Sequence, residues 1–273
     1  MTILDKFKLD GQVAVVTGGA GLLGKEFCRT LAEAGASVAV VDLDGSAARQ
    51  LSEALNENSA NSAAFQTNIT DPQQVGDMLQ EVLGKFKRLD ILVNSAALDP
   101  KFDPGHDTPG ASGAFEDFPL QAWQQAMDVN LTGMFLVTQA AVKPMLSQGQ
   151  GAVINLCSMY GLVGPDQRLY QKEGQPARFK PVYYPVTKAG VLGFTRYLAA
   201  YYAGKNIRVN ALTPGGVFNG HDETFLKEYA ARSILGRMAT RDEMNGALLF
   251  LASQASAYMT GANLVVDGGW TAW

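Results

Sequence analysis

The chain has 273 residues, of which 47% are apolar and 18% are charged, and its formal net charge is -4. This length suits one large α/β domain over residues 1–273, with room for a substantial core. The acidic balance and the lack of clustered Lys and Arg argue against a nucleic-acid partner. No apolar run approaches the ~20 residues of a membrane span, so we also expect no membrane partner.

The first residues, MTILDKFKLDGQ, carry interspersed charges and no uninterrupted apolar stretch, so a secretory signal is not expected and a cytoplasmic location is predicted. The two cysteines, Cys28 and Cys157, lack Cys-x-x-Cys spacing, and the chain has only two histidines. A disulfide scaffold and a metal site are therefore not expected.

Short β-branched runs alternate with longer helical patterns along the chain. Near-continuous apolar strands are typical of a parallel sheet that is covered on both faces. Seven such strands are predicted, at 12–17, 37–42, 62–67, 90–94, 152–158, 207–213 and 263–267. The pattern predicts an α/β fold with three layers, in which a doubly wound parallel sheet binds its ligand beyond the carboxyl ends of the strands.

Three segments interrupt this alternation: 98–117, 161–182 and 216–232. The first two are rich in Gly, Pro and charge, and each follows a predicted strand. Loops of this length in a compact domain are usually functional or disordered. We interpret all three as insertions that overhang the site like lids.

The stretch TGGAGLLG, residues 17–24, follows the first predicted strand and opens a helical pattern. Glycines there let backbone N–H groups approach a pyrophosphate, and the helix N-terminus supplies positive potential. The alternative is a tight turn that uses glycine only for its positive φ. Asp42 favours the nucleotide, because it ends the second strand at about the distance in sequence where an acidic residue meets the adenosine ribose.

A carboxylate at position 42 accepts hydrogen bonds from the ribose diol of NAD and repels the 2′-phosphate of NADP. Segment 18–24 contains no Arg or Lys that could offset this repulsion. The sequence therefore predicts NAD as the coenzyme. The alternative is that Asp42 or Asp44 only ends a strand in a polar turn.

The segment 183–202 has a helical pattern in which Tyr184 and Lys188 are four residues apart and share one face. A tyrosine with a pKa of ~10 is a poor base at neutral pH, but a nearby ammonium and an oxidised nicotinamide both favour its anion. We therefore expect Lys188 to lower the pKa of Tyr184. A second Tyr-x-x-x-Lys match, Tyr201 to Lys205, is interpreted as accidental because Gly204 interrupts the helix.

These features resemble, in order, those of the short-chain dehydrogenase/reductase family. The matching segments span nearly the whole chain: TGGAGLLG, Asp42, NSAA at 94–97, VNLTG with Asn130, INLCSMYG with Ser158, Tyr184 with Lys188, PGGV at 214–217, and LVVDGG near the C-terminus. The resemblance implies a Rossmann-type α/β fold, a nicotinamide coenzyme and hydride transfer at a carbon that bears oxygen.

The resemblance also implies four catalytic residues. Tyr184 would be the general acid/base, and Lys188 would lower its pKa while holding the nicotinamide ribose. Ser158 would orient the substrate oxygen, and Asn130 would hold a water in a proton relay. Hydride transfer needs such a matching proton transfer at oxygen. The alternatives are a buried helix tyrosine, an N-cap serine and an asparagine that satisfies backbone groups.

By the same resemblance, sixteen residues would contact the coenzyme: Gly18, Gly21, Leu22, Leu23, Gly24, Asp42, Leu43, Asn68, Ile69, Asn94, Ala96, Tyr184, Lys188, Pro214, Gly215 and Val217. The glycine spacing is similar to that of the family's extended branch, because Leu22 replaces a glycine. That branch carries a substrate domain where this chain closes with LVVDGG, so the single-domain type fits better. Asn68 and Asn219 also depart from the family pattern, which has aspartate and threonine there.

Between Ser158 and Tyr184 lie 25 residues, more than the family commonly uses. The cations of this insert are Arg168, Lys172, Arg178 and Lys180. These cations could bind a carboxylate, a phosphate or a polyol. The alternative is that the loop is merely solvated. The candidate substrate residues are Ser158, Tyr160, Arg168, Tyr184 and Asn219.

The resulting hypothesis is an NAD-dependent oxidoreductase acting on a secondary alcohol or ketone of a polar, sugar-like or sugar-acid molecule. The insert and the tail GGWTAW loosely resemble those of members from carbohydrate metabolism. One alternative is reduction of a 3-oxoacyl thioester on acyl carrier protein, and another is a coenzyme-binding sensor or scaffold without turnover.

The family usually assembles as dimers or tetramers through two long helices, here about 119–148 and 183–203. A homodimer or homotetramer is therefore expected, although a core-facing apolar stripe would look similar. Cys157 adjoins Ser158, but strand alternation points neighbours to opposite faces, so we interpret it as a core residue.

Overall fold

The seven strands form one sheet in which every hydrogen-bonded pair is parallel. The structure is a computed structural model that describes residues 2–58, 60–99, 114–171, 174 and 177–273. The strands are β1 (Val13–Thr17), β2 (Ser37–Asp42), β3 (Ser62–Gln66), β4 (Ile91–Asn94), β5 (Gly151–Leu156), β6 (Ile207–Pro214) and β7 (Asn263–Val266). The predicted α/β fold and its seven parallel strands are confirmed.

The sheet order is β3-β2-β1-β4-β5-β6-β7. The chain winds outward from β1 to β3 and then returns to the other side of β1 with β4. Sheets of this type bind ligands where the strand order reverses, here at the carboxyl ends of β1 and β4.

Among the described residues, eight α-helices connect and cover the strands: α1 (Leu22–Glu33), α2 (Gly45–Glu57), α3 (Pro72–Phe86), α4 (Leu120–Met127), α5 (Met134–Gln148), α6 (Tyr183–Tyr201), α7 (Glu223–Ala230) and α8 (Asn245–Ala252). Side chains determine where several of these helices begin. Asp44 and Asp71 accept hydrogen bonds from the first N–H groups of α2 and α3, and Pro72 takes the first position of α3.

Alternation along the strands builds two cores, one on each face of the sheet. In β1, Ala14 and Val16 pack with α1, α2 and α8, whereas Val13 and Val15 pack with α3, α5 and α6. Side chains of successive residues in a strand point to opposite faces, so one buried strand serves both layers. This arrangement gives the three layers that the sequence predicts.

The helix expected over 119–148 is not one continuous α-helix. A π-helical segment, Asp128–Gly133, separates α4 from α5 and contains Asn130. Gly133 lies where an added Cβ would come within 2.7 Å of the Ile69 side chain, so the segment packs closely on the loop after β3. A π segment inserts one residue per turn and often marks a functional position. Apolar periodicity does not reveal such an insertion.

The three predicted insertions differ in how far the structure describes them. Residues 100–113 of segment 98–117 lie outside the described residues, as do four positions of segment 161–182. Segment 216–232 contains α7 and is tied to segment 161–182 by an ion pair of 2.8 Å between Arg232 and Asp166. Within the described residues, no helix is long and apolar enough to cross a membrane. The assignment of residues 1–273 to one domain stays a prediction.

Candidate active site

The glycine turn after β1 packs against the segment that follows β4. Gly18 has a φ of 62°, and a Cβ at this position would lie 2.8 Å from the Cα of Ala96. Gly24 is constrained within the turn, because its Cβ would lie 2.0 Å from the carbonyl oxygen of Gly18. Glycine is needed at both positions for the turn to close against the segment after β4.

The first turn of α1 offers its backbone N–H groups to an anion. Gly21 is the N-cap and supplies no side-chain hydrogen bond, and the first turn contains no acidic residue. The N–H groups at the start of a helix have no intrahelical partner, and the helix dipole adds positive potential there. Leu22 and Leu23 begin the helix, so the turn fits a dinucleotide pyrophosphate although Leu22 replaces a glycine.

Asp42 joins the end of β2 to this turn. Its carboxylate accepts hydrogen bonds from the backbone N–H groups of Ala20, at 2.9 Å, and Asp44, at 3.1 Å. The carboxylate is therefore held beside the glycine turn by two donors. Leu43, which follows it, is 68% exposed.

Asn94, at the end of β4, holds neighbouring elements together. Its amide group donates to Thr138 of α5 at 2.9 Å and to Asn155 of β5 at 2.8 Å. Its Oδ1 is buried and has no partner among the described residues. The side chain thus has a clear structural function, and its predicted contact with the coenzyme stays a prediction.

The remaining predicted coenzyme residues lie in loops at the carboxyl ends of β3 and β6. Asn68 accepts hydrogen bonds from the backbone and hydroxyl of Thr70, so its side chain stabilises the turn. Gly215 lies where a Cβ would come within 2.7 Å of the Cα of Asp267, and Val217 pairs with Ala239. These loops, with Ile69 and Pro214, border the carboxyl edge of the sheet.

Ser158 follows β5 and lies beside Tyr184. Its hydroxyl accepts a hydrogen bond of 3.2 Å from the backbone N–H of Tyr160, so it caps the short helical turn Met159–Gly161. Its side chain also lies close enough to Tyr184 to lower the pKa of that phenol. The capping alternative and the catalytic expectation for Ser158 are therefore compatible.

Tyr184 lies in the first turn of α6 with a lysine on each side in sequence. The Nζ of Lys188 is 5.8 Å from the centroid of the tyrosine ring, and the Nζ of Lys180 is 3.9 Å from it. Lys188 is buried and donates a hydrogen bond of 2.9 Å to the carbonyl of Leu156 in β5. Two ammonium groups thus approach the same ring. By contrast, Tyr201 is 66% exposed at the end of α6.

The pKa of Tyr184 lies well above its ordinary value in the protein alone. Burial is the main cause and the carboxylate of Asp99 adds to it, whereas the side chain of Ser158 lowers the pKa. Lys188 is not among the main causes of this shift, so the expectation that it lowers the pKa of Tyr184 stays a prediction. Burial also lowers the pKa of Lys188 itself, and nearby Lys180 acts in the same direction.

Asn130 connects the segment after β4 to α6. Its Oδ1 accepts from the N–H of Leu98 at 2.6 Å, and its amide group donates to the carbonyl of Leu98 and the hydroxyl of Thr187. The side chain is therefore occupied by backbone and hydroxyl partners, as one alternative from the sequence proposes. The water relay stays a prediction.

The predicted substrate residues separate into two groups. Ser158, Tyr160 and Tyr184 lie together, and the hydroxyl of Tyr170 donates to that of Tyr160 at 3.0 Å. Arg168 does not join them among the contacts described, because it pairs with Asp166 and its side chain is 82% exposed.

Asn219 likewise has a partner outside this group. Its side-chain oxygen accepts a hydrogen bond of 3.2 Å from Arg241, and its backbone N–H bonds to His221. Its predicted substrate contact therefore has no support in these contacts.

The sequence interpretation missed the pair formed by Lys180 and Asp99. The ammonium of Lys180 makes an ion pair with Asp99, and it is this lysine of the insert that lies over the Tyr184 ring. Asp99 follows the NSAAL segment after β4, a carboxyl end where polar residues are expected to line the ligand site. That position could have identified it.

Comparisons with known proteins place this geometry in a family. The family model described as enoyl-(acyl carrier protein) reductase matches residues 19–271. The chain is 35% identical over 270 residues to D-threitol dehydrogenase of Mycolicibacterium smegmatis, covering 97% of this chain and 95% of that protein. The chain belongs to the short-chain dehydrogenase/reductase family. It is an alcohol/ketone oxidoreductase that uses a nicotinamide coenzyme.

Other relatives in the family have different names. The chain is 30% identical over 269 residues to a 3-oxoacyl-acyl-carrier-protein reductase of Aquifex aeolicus, covering 97% of this chain and 99% of the relative. A crystal structure of gluconate 5-dehydrogenase from Burkholderia cenocepacia, in complex with NADP and tartrate, has a TM-score of 0.86 and 30% identity, and each chain is fully covered (100%). The family is thus shared by proteins whose substrates and coenzymes differ.

Tyr184→Phe should reduce kcat/KM by about 10²- to 10⁴-fold, because it removes the hydroxyl that is expected to exchange the proton. Tyr201→Phe removes the hydroxyl of the accidental Tyr-x-x-x-Lys match and should leave kcat/KM unchanged. Coenzyme binding, followed by fluorescence, and circular dichroism should be normal in both variants. Equal rates for Tyr184→Phe and the unmodified protein would exclude the assigned role.

The same assignment predicts a direction for the pH dependence. Oxidation of an alcohol needs the deprotonated phenol, and the pKa of Tyr184 is raised, so the oxidation rate should increase as the pH rises above neutrality. Steady-state rates measured in both directions across pH will check this, since reduction needs the protonated phenol and should respond in the opposite sense.

Proposed function

We propose that the protein is an NAD(H)-dependent dehydrogenase that transfers a hydride between the nicotinamide and a secondary alcohol or ketone of a polar, sugar-like substrate. The observation that carries this proposal is the placement of Ser158 beside Tyr184 at the carboxyl edge of the sheet. This pair offers a donor and an exchangeable proton to one substrate oxygen, with Lys188 held nearby.

The chain's own residues would handle the proton and the oxygen. During oxidation, the phenolate of Tyr184 takes the proton of the substrate hydroxyl, while the hydroxyl of Ser158 donates a hydrogen bond to the same oxygen. A bound nicotinamide would supply the acceptor for the hydride that leaves the carbon. During reduction the Tyr184 phenol returns the proton to the oxygen. Lys188, fixed by the Leu156 carbonyl, stabilises the phenolate by its charge.

The preference for NAD rests on the charges at the end of β2. Asp42 is held at the glycine turn by Ala20, and Asp44 lies two residues later at the start of α2. Neither 18–24 nor 42–48 contains Arg or Lys. A 2′-phosphate placed there would meet carboxylates without a cation, whereas the ribose diol of NAD can donate to Asp42. The NADP in the gluconate 5-dehydrogenase complex belongs to that protein.

A cation at exposed Leu43 should shift the preference toward NADP. Leu43→Arg is expected to raise kcat/KM for NADP by about tenfold, equivalent to ~1.4 kcal/mol, with little change for NAD. Leu43→Gln is the matched control without charge and should keep the original ratio. Equal kcat/KM values for NAD and NADP in the unmodified protein would contradict the proposal.

The polar substrate is supported by the groups around Tyr184. Five side chains bring hydrogen-bonding or charged atoms to this region: Ser158, Tyr160, Tyr170, Asp99 and Lys180. Hydroxyl-rich molecules suit such a surface better than alkyl chains do, because polar atoms buried against an alkyl chain would lose their hydrogen bonds. The name of the threitol dehydrogenase relative agrees with this choice.

A second candidate function is the reduction of 3-oxoacyl thioesters on acyl carrier protein. The 30% identity to the Aquifex aeolicus reductase favours it. Such a reductase is expected to use NADPH and to present a basic surface to the carrier protein. The acidic end of β2 argues against NADPH, and the net charge of -4 argues against a basic surface.

Screening NAD reduction with polyols, sugars and sugar acids separates the two functions. We expect turnover with at least one polyol or sugar and none with 3-oxoacyl thioesters. Activity confined to thioesters would favour the second candidate. Coenzyme binding without turnover of any compound would favour the sensor or scaffold alternative, which the presence of both Tyr184 and Lys188 makes less attractive.

We also propose that the protein forms a homodimer or homotetramer through α5 and α6. Several large apolar side chains on these helices are exposed: Phe135, Leu146, Tyr197 and Tyr201. Apolar surface on paired helices is typical of an interface. Light scattering should give the mass of two or four chains, and a monomer mass at micromolar concentration would contradict the proposal.

A further inference from the structure

The ion pair of Lys180 and Asp99 lies directly beside the reacting tyrosine. The Nζ of Lys180 is 3.9 Å from the Tyr184 ring centroid and pairs with a carboxylate oxygen of Asp99. The lysine side chain is 9% exposed, whereas that of Asp99 is 56% exposed. The pair therefore extends from the tyrosine ring toward solvent.

The backbone of Lys180 is fixed independently of this ion pair. Gln167 accepts a hydrogen bond of 2.8 Å from the N–H of Lys180 and donates one of 3.2 Å to its carbonyl. Gln167 begins the short helical turn Gln167–Tyr170, whose last residue donates to Tyr160. Removal of the Asp99 charge should consequently leave Lys180 beside Tyr184.

The negative charge of Asp99 affects the pKa values of the tyrosines near the proposed substrate oxygen. Its carboxylate contributes to the raised pKa values of four tyrosines: Tyr160, Tyr170, Tyr183 and Tyr184. A second carboxylate placed near Tyr184 would experience the same negative charge. It would also have to compete with Asp99 for Lys180, and like charges in a partly buried site repel strongly.

The hydrogen-bonding capacity of the pair suits hydroxyl groups. An ammonium has three hydrogens, so Lys180 can still donate after it bonds to Asp99, and the carboxylate of Asp99 can still accept. A hydroxyl group both donates and accepts. Two neighbouring hydroxyls can therefore bind this pair without breaking it, whereas a carboxylate can only accept.

We propose that Lys180 and Asp99 act together as the specificity-determining pair, binding a hydroxyl next to the reacting carbon of a neutral polyol while Asp99 excludes a carboxylate from that position. This inference rests on the proposed polyol or sugar dehydrogenase function and narrows its substrate class. Lys180 supplies the donor, Asp99 supplies the acceptor, and the net charge of the pair is zero.

Threitol and tartrate form a matched pair of probes. Both have four carbons and two internal hydroxyls, but tartrate carries a carboxylate at each end. Whichever way tartrate enters, a carboxylate lies next to the hydroxyl at Tyr184. The measured quantities are kcat/KM for threitol and the inhibition constant of tartrate, both with NAD, together with calorimetric dissociation constants of both probes for the NAD complex.

Asp99→Asn should bind tartrate about tenfold more tightly, since it frees the Lys180 charge. Lys180→Met should weaken threitol binding about tenfold without improving tartrate binding, and Lys180→Arg should restore part of the threitol affinity. Asp117→Asn, in the same insertion but on an exposed residue, is the matched control and should change neither constant.

An unchanged ratio of tartrate to threitol affinity in Asp99→Asn overturns the inference, as does normal threitol binding in Lys180→Met. Coenzyme affinity and circular dichroism show whether a variant remains folded, and Lys180→Arg supplies the second test if Lys180→Met does not. If the unmodified protein oxidises no polyol or sugar, the proposed function fails. The calorimetric comparison still decides the inference in that case, because binding does not require turnover.

Discussion

The geometry of the site depends on a buried chain of amide and hydroxyl groups between the two central strands and the helices above them. Asn94 of β4 donates to Asn155 of β5 at 2.8 Å, and Asn155 donates to Thr195 of α6 at 3.0 Å. Asn94 also donates to Thr138 of α5. Polar groups buried in this way strongly favour one arrangement, because any other leaves them without partners. The position of α6, and so of Tyr184, is set by this network.

Without coenzyme, burial has a larger effect on the pKa of Tyr184 than the nearby charges do. Two ammonium groups approach the ring, but Lys188 is buried with a lowered pKa and Lys180 is neutralised by Asp99. The phenol therefore keeps its proton until further positive charge arrives. An oxidised nicotinamide carries such a charge, so the formation of the base would be linked to the presence of the coenzyme that the reaction needs.

The strands and the pairing of Tyr184 with Lys188 on one helix could be predicted because their signals are local. Apolar runs give each strand to within two residues, and the spacing of Tyr184 and Lys188 needs only helical geometry. The π-helical segment around Asn130 could not be predicted, since one added residue scarcely alters the apolar pattern. The contact of Lys180 with Asp99 joins residues 81 positions apart, and the raised pKa of Tyr184 depends on burial by the whole fold.

Lys180 of the proposed specificity pair lies on segment 161–182, whereas Ser158 and Tyr184 are held by β5 and α6. This separation explains why the substrate class is the least predictable property of this chain. Ser158 and Tyr184 are positioned by β5 and α6, which the buried network fixes. Lys180 instead precedes α6 on the insert and is held by Gln167 of that same insert. The proposed proton-transfer groups and the proposed specificity pair are therefore stabilised by different contacts. We therefore expect substitutions in the insert to change the proposed substrate contacts while the placement of Ser158 and Tyr184 is retained.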